Sequence, residues 1–225
     1  MSPRRKLSDA RRRQILKAAV QVIASKGLCD TGIKDVADQA GTSPALVIYY
    51  FGTKDALLAE TLAFADERFY AQTAEAVAGM ASARDRLVEL VRCSCSLGEA
   101  DDDFDEWVLW LDLWARAAHK PDVARDRQTM DRRWRTTIGE IVRQGQAAGE
   151  FAPVDAAAFA LRLAALIDGL AVLVVLKDPE VTRERMFDLC METCASELDF
   201  SWTRKDRAAV VQGIRHRAPD GRVAG

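Results

Sequence analysis

Three glycines, Gly27, Gly41 and Gly52, cut the first 55 residues into segments, two of them too short to be stable helices alone. In the first segment, from Asp9 to Lys26, the apolar residues Ile15, Ala18, Ala19, Val22 and Ile23 recur at helical spacing. Thr31 reads as the cap of a second helix, about 33–40, which Gly41 stops. Thr42 or Ser43 reads as the cap of a third, running to about Tyr50 with Pro44 in its first turn. Two short helices joined through a glycine turn hold only by crossing at a steep angle, the arrangement of a helix-turn-helix. Ile33, Val36, Ala37 and Ala40 form the inner face of the second helix, Val47 and Phe51 that of the third. Ser43, Pro44, Ala45, Leu46, Tyr49 and Tyr50 are left facing outward. A short helix with small residues at its start can enter the major groove of DNA closely. Lys54 opens a fourth helix, where exposed amides also favour an anion.

Charge supports a division of labour along the chain. The net charge is −2, but residues 1–60 hold 10 Lys/Arg against 6 Asp/Glu, and residues 203–225 hold 6 against 2. The body between them is strongly acidic, so a basic head suited to phosphates is masked in the total. Arg4, Arg5 and Lys6 lie in a stretch, 1–10, that reads as a disordered basic arm, and Arg11, Arg12 and Arg13 can add phosphate contacts.

Beyond residue 55 the pattern stays helical. Thr53 caps a long helix; another opens at Ser82; a tryptophan-rich one follows the acidic run 99–103. Pro121, Pro153 and Thr182 mark the starts of three more, giving an all-α chain of about nine helices with no strand pattern. The expected domains are 1–55, the helix-turn-helix with its arm; 56–202, a larger helical regulatory and dimerisation domain; and 203–225, a basic, disordered tail. No apolar run approaches about 18 residues, and the start lacks a secretory signal, so no membrane partner and a cytoplasmic location are expected. The five cysteines are odd in number and far from the two histidines, which points to buried free thiols and no metal site. No Ser/His/Asp or metal-ligand spacing occurs, so an enzyme is not expected.

The most distinctive feature of the body is Trp107, Trp110 and Trp114, at i, i+3 and i+7 on one helical face. Phe104 precedes them, Trp134 follows, and Asp101–103, Asp105, Glu106 and Asp112 lie among them. Aromatic faces attract cations at roughly 0.5–2 kcal/mol each. These five aromatics are therefore a candidate pocket for a small organic cation, with ordinary core packing as the competing explanation.

The run Thr31 to Leu58, TGIKDVADQAGTSPALVIYYFGTKDALL, resembles the DNA-binding signature of the TetR family. The resemblance implies contacts to DNA from Thr31, Ser43, Pro44, Ala45, Leu46, Tyr49, Tyr50 and Lys54, with Thr31, Tyr50 and Lys54 on phosphates. Ile48 departs from it, standing where tyrosine is common. Residues 107–170 resemble the regulatory domain of the family's BetI-like branch, through Trp114, Pro121, Trp134, Gly145, Gly149-Glu150-Phe151 and Asp168-Gly169-Leu170. That resemblance implies a homodimer, paired through helices at about 153–177 and 182–200, and a small-molecule effector rather than a cofactor. The expected function is repression relieved by that effector on double-stranded operator DNA. The alternative is a DNA-binding regulator governed by a partner protein or by concentration.

Overall fold

The computed structural model describes residues 3–95, 106–203, 205–208 and 210, with residues 3–8 as backbone only. In chain order the helices are α1 (Pro3–Lys26), α2 (Ile33–Gln39), α3 (Pro44–Phe51), α4 (Lys54–Val77), α5 (Ala83–Cys95), α6 (Trp107–Ala117), α7 (Pro121–Ala147), α8 (Ala156–Val175) and α9 (Arg183–Leu198). Among the described residues there is no strand. Local chemistry starts the helices where the sequence places them. Ser43 Oγ accepts the Leu46 N–H at 3.2 Å and Thr53 Oγ1 the Ala56 N–H at 3.1 Å. Asp155 accepts from Ala157 and Ala158, and Thr182 from Arg185. Each satisfies a first-turn amide that the helix itself leaves without a partner.

The chain forms two compact units. The first comprises residues 1–75 and 97–131, the second 76–96 and 132–225. In the first unit, α1 is shared between two clusters. On one side Ile15, Leu16, Ala18, Ala19 and Val22 meet Val36, Ala37, Val47, Phe51 and Leu57. On the other, Val20, Ile23 and Leu28 meet Leu58, Leu62 and Ala65 of α4 and Leu109 and Leu113 of α6. The second unit buries Leu87 and Leu90 of α5, Ile138 and Val142 of α7, Phe159, Leu163 and Ile167 of α8, and Met186, Cys190 and Cys194 of α9.

Four expectations are corrected. The helix expected from Asp9 begins at Pro3, because proline is tolerated at a first helical position and nothing between it and Asp9 interrupts the helix. The tail is anchored at its start: residues 205–208 are helical. There Arg84 reaches the Ser201 carbonyl at 3.1 Å and Asp206 at 3.0 Å, and Arg207 donates to Asp188 at 2.5 Å. The thiols are free, but Cys29 is exposed and Cys93 half-buried, leaving Cys95, Cys190 and Cys194 in the interior. Finally, Ala156–Val175 is by length and composition long and apolar enough to cross a membrane, with mean hydropathy 2.2. One face of it is buried in the core, while Leu161 and Leu173 on the helix and Leu176 at its C-cap are exposed, so apolar residues lie on more than one side.

Candidate nucleic-acid interface

The interface is built on α3. Gly41 takes φ +61° between α2 and α3, a left-handed turn that a side chain would strain. Val47 and Phe51 then point into the α1 cluster at 0% and 6% exposure. The opposite face is open: Ser43, Pro44, Ala45, Ile48 and Tyr49 are exposed, Ile48 by 50% and Tyr49 by 78%. Leu46 and Tyr50 are half-buried. The Tyr50 ring packs on the α1 cluster and meets Tyr49 edge-on, their centroids 5.4 Å apart. Of the residues expected outward, Ser43, Pro44, Ala45 and Tyr49 form the open face, with Leu46 and Tyr50 at its margin.

Ile48 was absent from that expected face. Because it is apolar, its pattern alone reads as core; its place one turn on from Ala45 and Pro44 is the signal that could have found it.

Thr31 sits elsewhere than expected. It is 1% exposed, and its hydroxyl donates to the Gly27 carbonyl at 2.7 Å. It locks the α1–α2 turn from inside, and Gly32, not Thr31, occupies the cap position of α2. Asp35 completes that end: it accepts the Gly32 N–H at 2.8 Å and a Lys26 ammonium proton at 2.7 Å. The Lys26 bond, followed by the Gly32 amide, holds the Asp35 carboxyl below its ordinary pKa.

Arg12 is taken by the fold. It donates to the Tyr50 carbonyl at 3.0 Å, pairs with Glu60, and lies 4.7 Å from the Phe51 ring centre. It therefore braces the end of α3 from α1, whereas Arg13 and Lys17 stay exposed. Lys54 is half-buried and donates to the Cys29 carbonyl at 3.2 Å, which ties the start of α4 to the α1–α2 turn. An ammonium has three donors, so this bond leaves others for a phosphate.

The head is also held by α6. Asp112 accepts the Leu28 N–H at 2.6 Å, just past the end of α1. Arg116 pairs with Asp55 in the first turn of α4 at 3.1 Å and, with Lys120, keeps the Asp55 carboxyl below its ordinary pKa. Asp112, expected among the carboxylates around the tryptophans, is thus turned to the head.

The tryptophan stripe divides. Trp107 is buried and its ring centre lies 6.4 Å from that of half-buried Trp114, tilted by 54°. Trp110 packs against the cluster of Leu109, Leu113 and Leu58 together with Val123 and Met130. Trp134 is half-buried in the second unit. Phe104 and Asp101–Asp105 lie outside the described residues. Glu106, 7% exposed, pairs with Arg68. Among the described residues no three His, Cys, Asp or Glu side chains come together as a metal site.

Comparison with known proteins matches residues 15–61 to the model for bacterial regulatory proteins of the tetR family. Residues 83–199 match the model for the C-terminal part of BetI-type transcriptional repressors. The chain is 31% identical over 173 residues to the HTH-type transcriptional regulator BetI of Burkholderia thailandensis, covering 75% of this chain and 83% of that one. The corresponding BetI of Stenotrophomonas maltophilia is 29% identical over 181 residues, with 75% and 83% covered. A protein of Saccharomonospora viridis, described as a transcriptional regulator and solved in complex with choline, superposes with a TM-score of 0.73 at 32% identity. That match covers 82% of this chain and 95% of the other. A TetR-family regulator from Rhodococcus gives 0.71 at 27% identity, covering 84% and 98%.

Proposed function

Since the chain belongs to the TetR family, with a BetI-type C-terminal domain, and is a DNA-binding transcriptional regulator rather than an enzyme, we propose that it is a homodimeric repressor released from its operator by a small organic cation. The observation that carries the DNA half is the open face of α3, with Tyr49 78% exposed above a buried Val47 and Phe51. Ser43, Pro44, Ala45 and Leu46 lead this face into a major groove, Tyr49 and Tyr50 bring hydroxyls to its edge, and Lys54 supplies a phosphate contact. Thr31 supports that contact by fixing the turn on which Lys54 rests.

The effector half is supported by the choline held by the Saccharomonospora viridis relative. It is supported too by the aromatic character of α6, where the rings of Trp107 and Trp114 lie 6.4 Å apart, tilted by 54°. A cation gains from aromatic faces when water is excluded. The same choline complex disfavours a regulator that senses no small molecule. Homodimerisation through α8 and α9 matches a two-fold protein to a two-fold operator. Release needs a ligand that prefers a geometry in which the two α3 helices no longer fit successive grooves. The path available inside the first unit is α6. Asp112 on Leu28 and Arg116 on Asp55 fix it to the end of α1 and the start of α4, so a shift of α6 moves the elements that set α3.

The test is a footprint on genomic DNA to obtain the operator, followed by titration of the complex with choline. Choline should lower operator affinity and change the tryptophan fluorescence in parallel. Saturating choline with neither effect removes the choline reading and leaves DNA binding standing.

A further inference from the structure

α3 carries no side chain able to make a two-point hydrogen bond to a base. Its sequence, PALVIYYF, has no Arg, Lys, Asn or Gln, the residues that read guanine or adenine in that way. Ser43, just ahead of it, has its oxygen engaged by the Leu46 amide. What the open face offers instead is hydrocarbon. Pro44 and Ala45 are exposed, and Ile48, at i+4 and i+3 from them, is 50% exposed on the same face. The phenol of Tyr49 stands beside it. Ile48 is not part of the head's own core, which Val47 and Phe51 already fill, so its outer side is free to meet a partner.

In the major groove only one feature of the bases is apolar, the C5-methyl group of thymine. We infer that Ile48 reads thymine: its side chain, with Ala45 beside it, covers the methyl group of a thymine in each operator half-site, and this apolar contact, rather than a hydrogen-bonded pair, is the main base discrimination made by α3. This rests on the DNA-binding reading above and deepens it by naming the chemical group recognised. Phosphate contacts then supply affinity without sequence information.

Burying one methyl group contributes about 0.8 kcal/mol, or roughly fourfold in affinity. The test uses the full chain and duplexes enriched by it from a random pool. In the enriched sequence, each thymine of one half-site is replaced in turn by deoxyuridine, which removes only the methyl. Wild-type affinity should fall about fourfold at one or two positions and stay constant at the others. Ile48→Ala should bind the thymine duplex more weakly and show no further loss with deoxyuridine at a position Ile48 covers; Ile48→Val should fall between. Because Ile48 is half in solvent, unchanged helical circular dichroism in both variants is expected, and Ile48→Val still reports if Ile48→Ala loses helix. Uniform tolerance of deoxyuridine overturns the inference while leaving a sequence-specific regulator in place. So does an unchanged penalty in the variants. Failure to enrich any sequence overturns the DNA-binding reading and this inference together.

Discussion

Phe151 lies directly on the backbone of Gly145. A methyl group built at Gly145 would stand 2.1 Å from Cδ2 of the ring and 2.4 Å from Cε2. Glycine is thus required here for space, in the last turns of α7. Gly149 follows at φ +74°, and the Glu150 N–H returns to the Gly145 carbonyl at 2.8 Å. The ring, 6% exposed, packs on Phe200, with centroids 5.6 Å apart. Gly145→Ala should force the ring out and lower stability by about 1–3 kcal/mol, the usual cost of overfilling a packed site. Chemical denaturation of the variant checks this, and an unchanged midpoint would mean that the ring has room to turn. Gly145, Gly149 and Phe151 are visible in the sequence as points of resemblance, but their contact is not. Ile48 shows the same gap at the interface: periodicity sorts apolar from polar, and an apolar residue turned outward for a partner is filed with the core. Thr31 is the opposite case, a polar residue read as a surface cap because burial of its hydroxyl depends on the Gly27 carbonyl.

Helix starts were legible where the cap is local, as at Ser43, Thr53 and Thr182, because a side chain two or three residues from its amide leaves a sequence mark. α5 has a legible cap of the same kind, Ser82 Oγ accepting the Asp85 N–H at 3.2 Å, and a second that no local pattern marks. Its first turn is also capped from 66–68 residues away by Glu150, which accepts from Ser82 Oγ at 2.7 Å and from the Ala83 and Arg84 amides at 3.0 Å. The tryptophan helix is similar: spacing puts three rings on one face, but only packing shows that Trp110 joins the α1–α4 cluster. The Arg84 amide, then Ser82, then the Ala83 amide hold the Glu150 carboxyl below its ordinary pKa. A carboxyl depressed in the folded state contributes stability above its unfolded pKa, about 4.3, and loses it as the pH falls through the folded value. Glu150→Gln should therefore cost about 1–2 kcal/mol at pH 7, in the range of a lost charged cap. The gap to wild type should narrow below about pH 4. A gap that stays constant from pH 7 to pH 3 would show that the charge does not matter to this cap.

At the scale of the molecule, the packing of the head does not stop at residue 55, where the sequence places the expected end of the DNA-binding domain, and the family match itself runs to residue 61. The first compact unit also takes in α4 to Glu75, α6 and the start of α7. Among the described residues of the second unit, one face of α8 is left uncovered. Leu161, Ala165, Gly169 and Leu173 repeat every fourth residue with Leu176 beyond, and the three leucines are 54%, 37% and 69% exposed. Apolar residues at that spacing form a stripe, and the small pair at its centre lets a second helix come close. Among the described residues, nothing beyond the adjacent stretch of α8 itself lies within 4 Å of a side-chain carbon built on Gly169. That open space separates folding from assembly. Gly169→Leu adds bulk where one copy has room and replaces a poor helix former with a good one, so the single chain should fold at least as well. A close-packed two-fold pairing of α8 with its copy would lose its fit. Wild type should sediment at twice the 24.9 kDa of the chain, and Gly169→Leu should shift it toward that single mass with its helical signal intact. Operator affinity should fall at least tenfold, because two half-site contacts no longer act on one duplex as a linked pair. If the variant keeps both its mass and its affinity, the copies meet through another surface and the α8 stripe has a different partner.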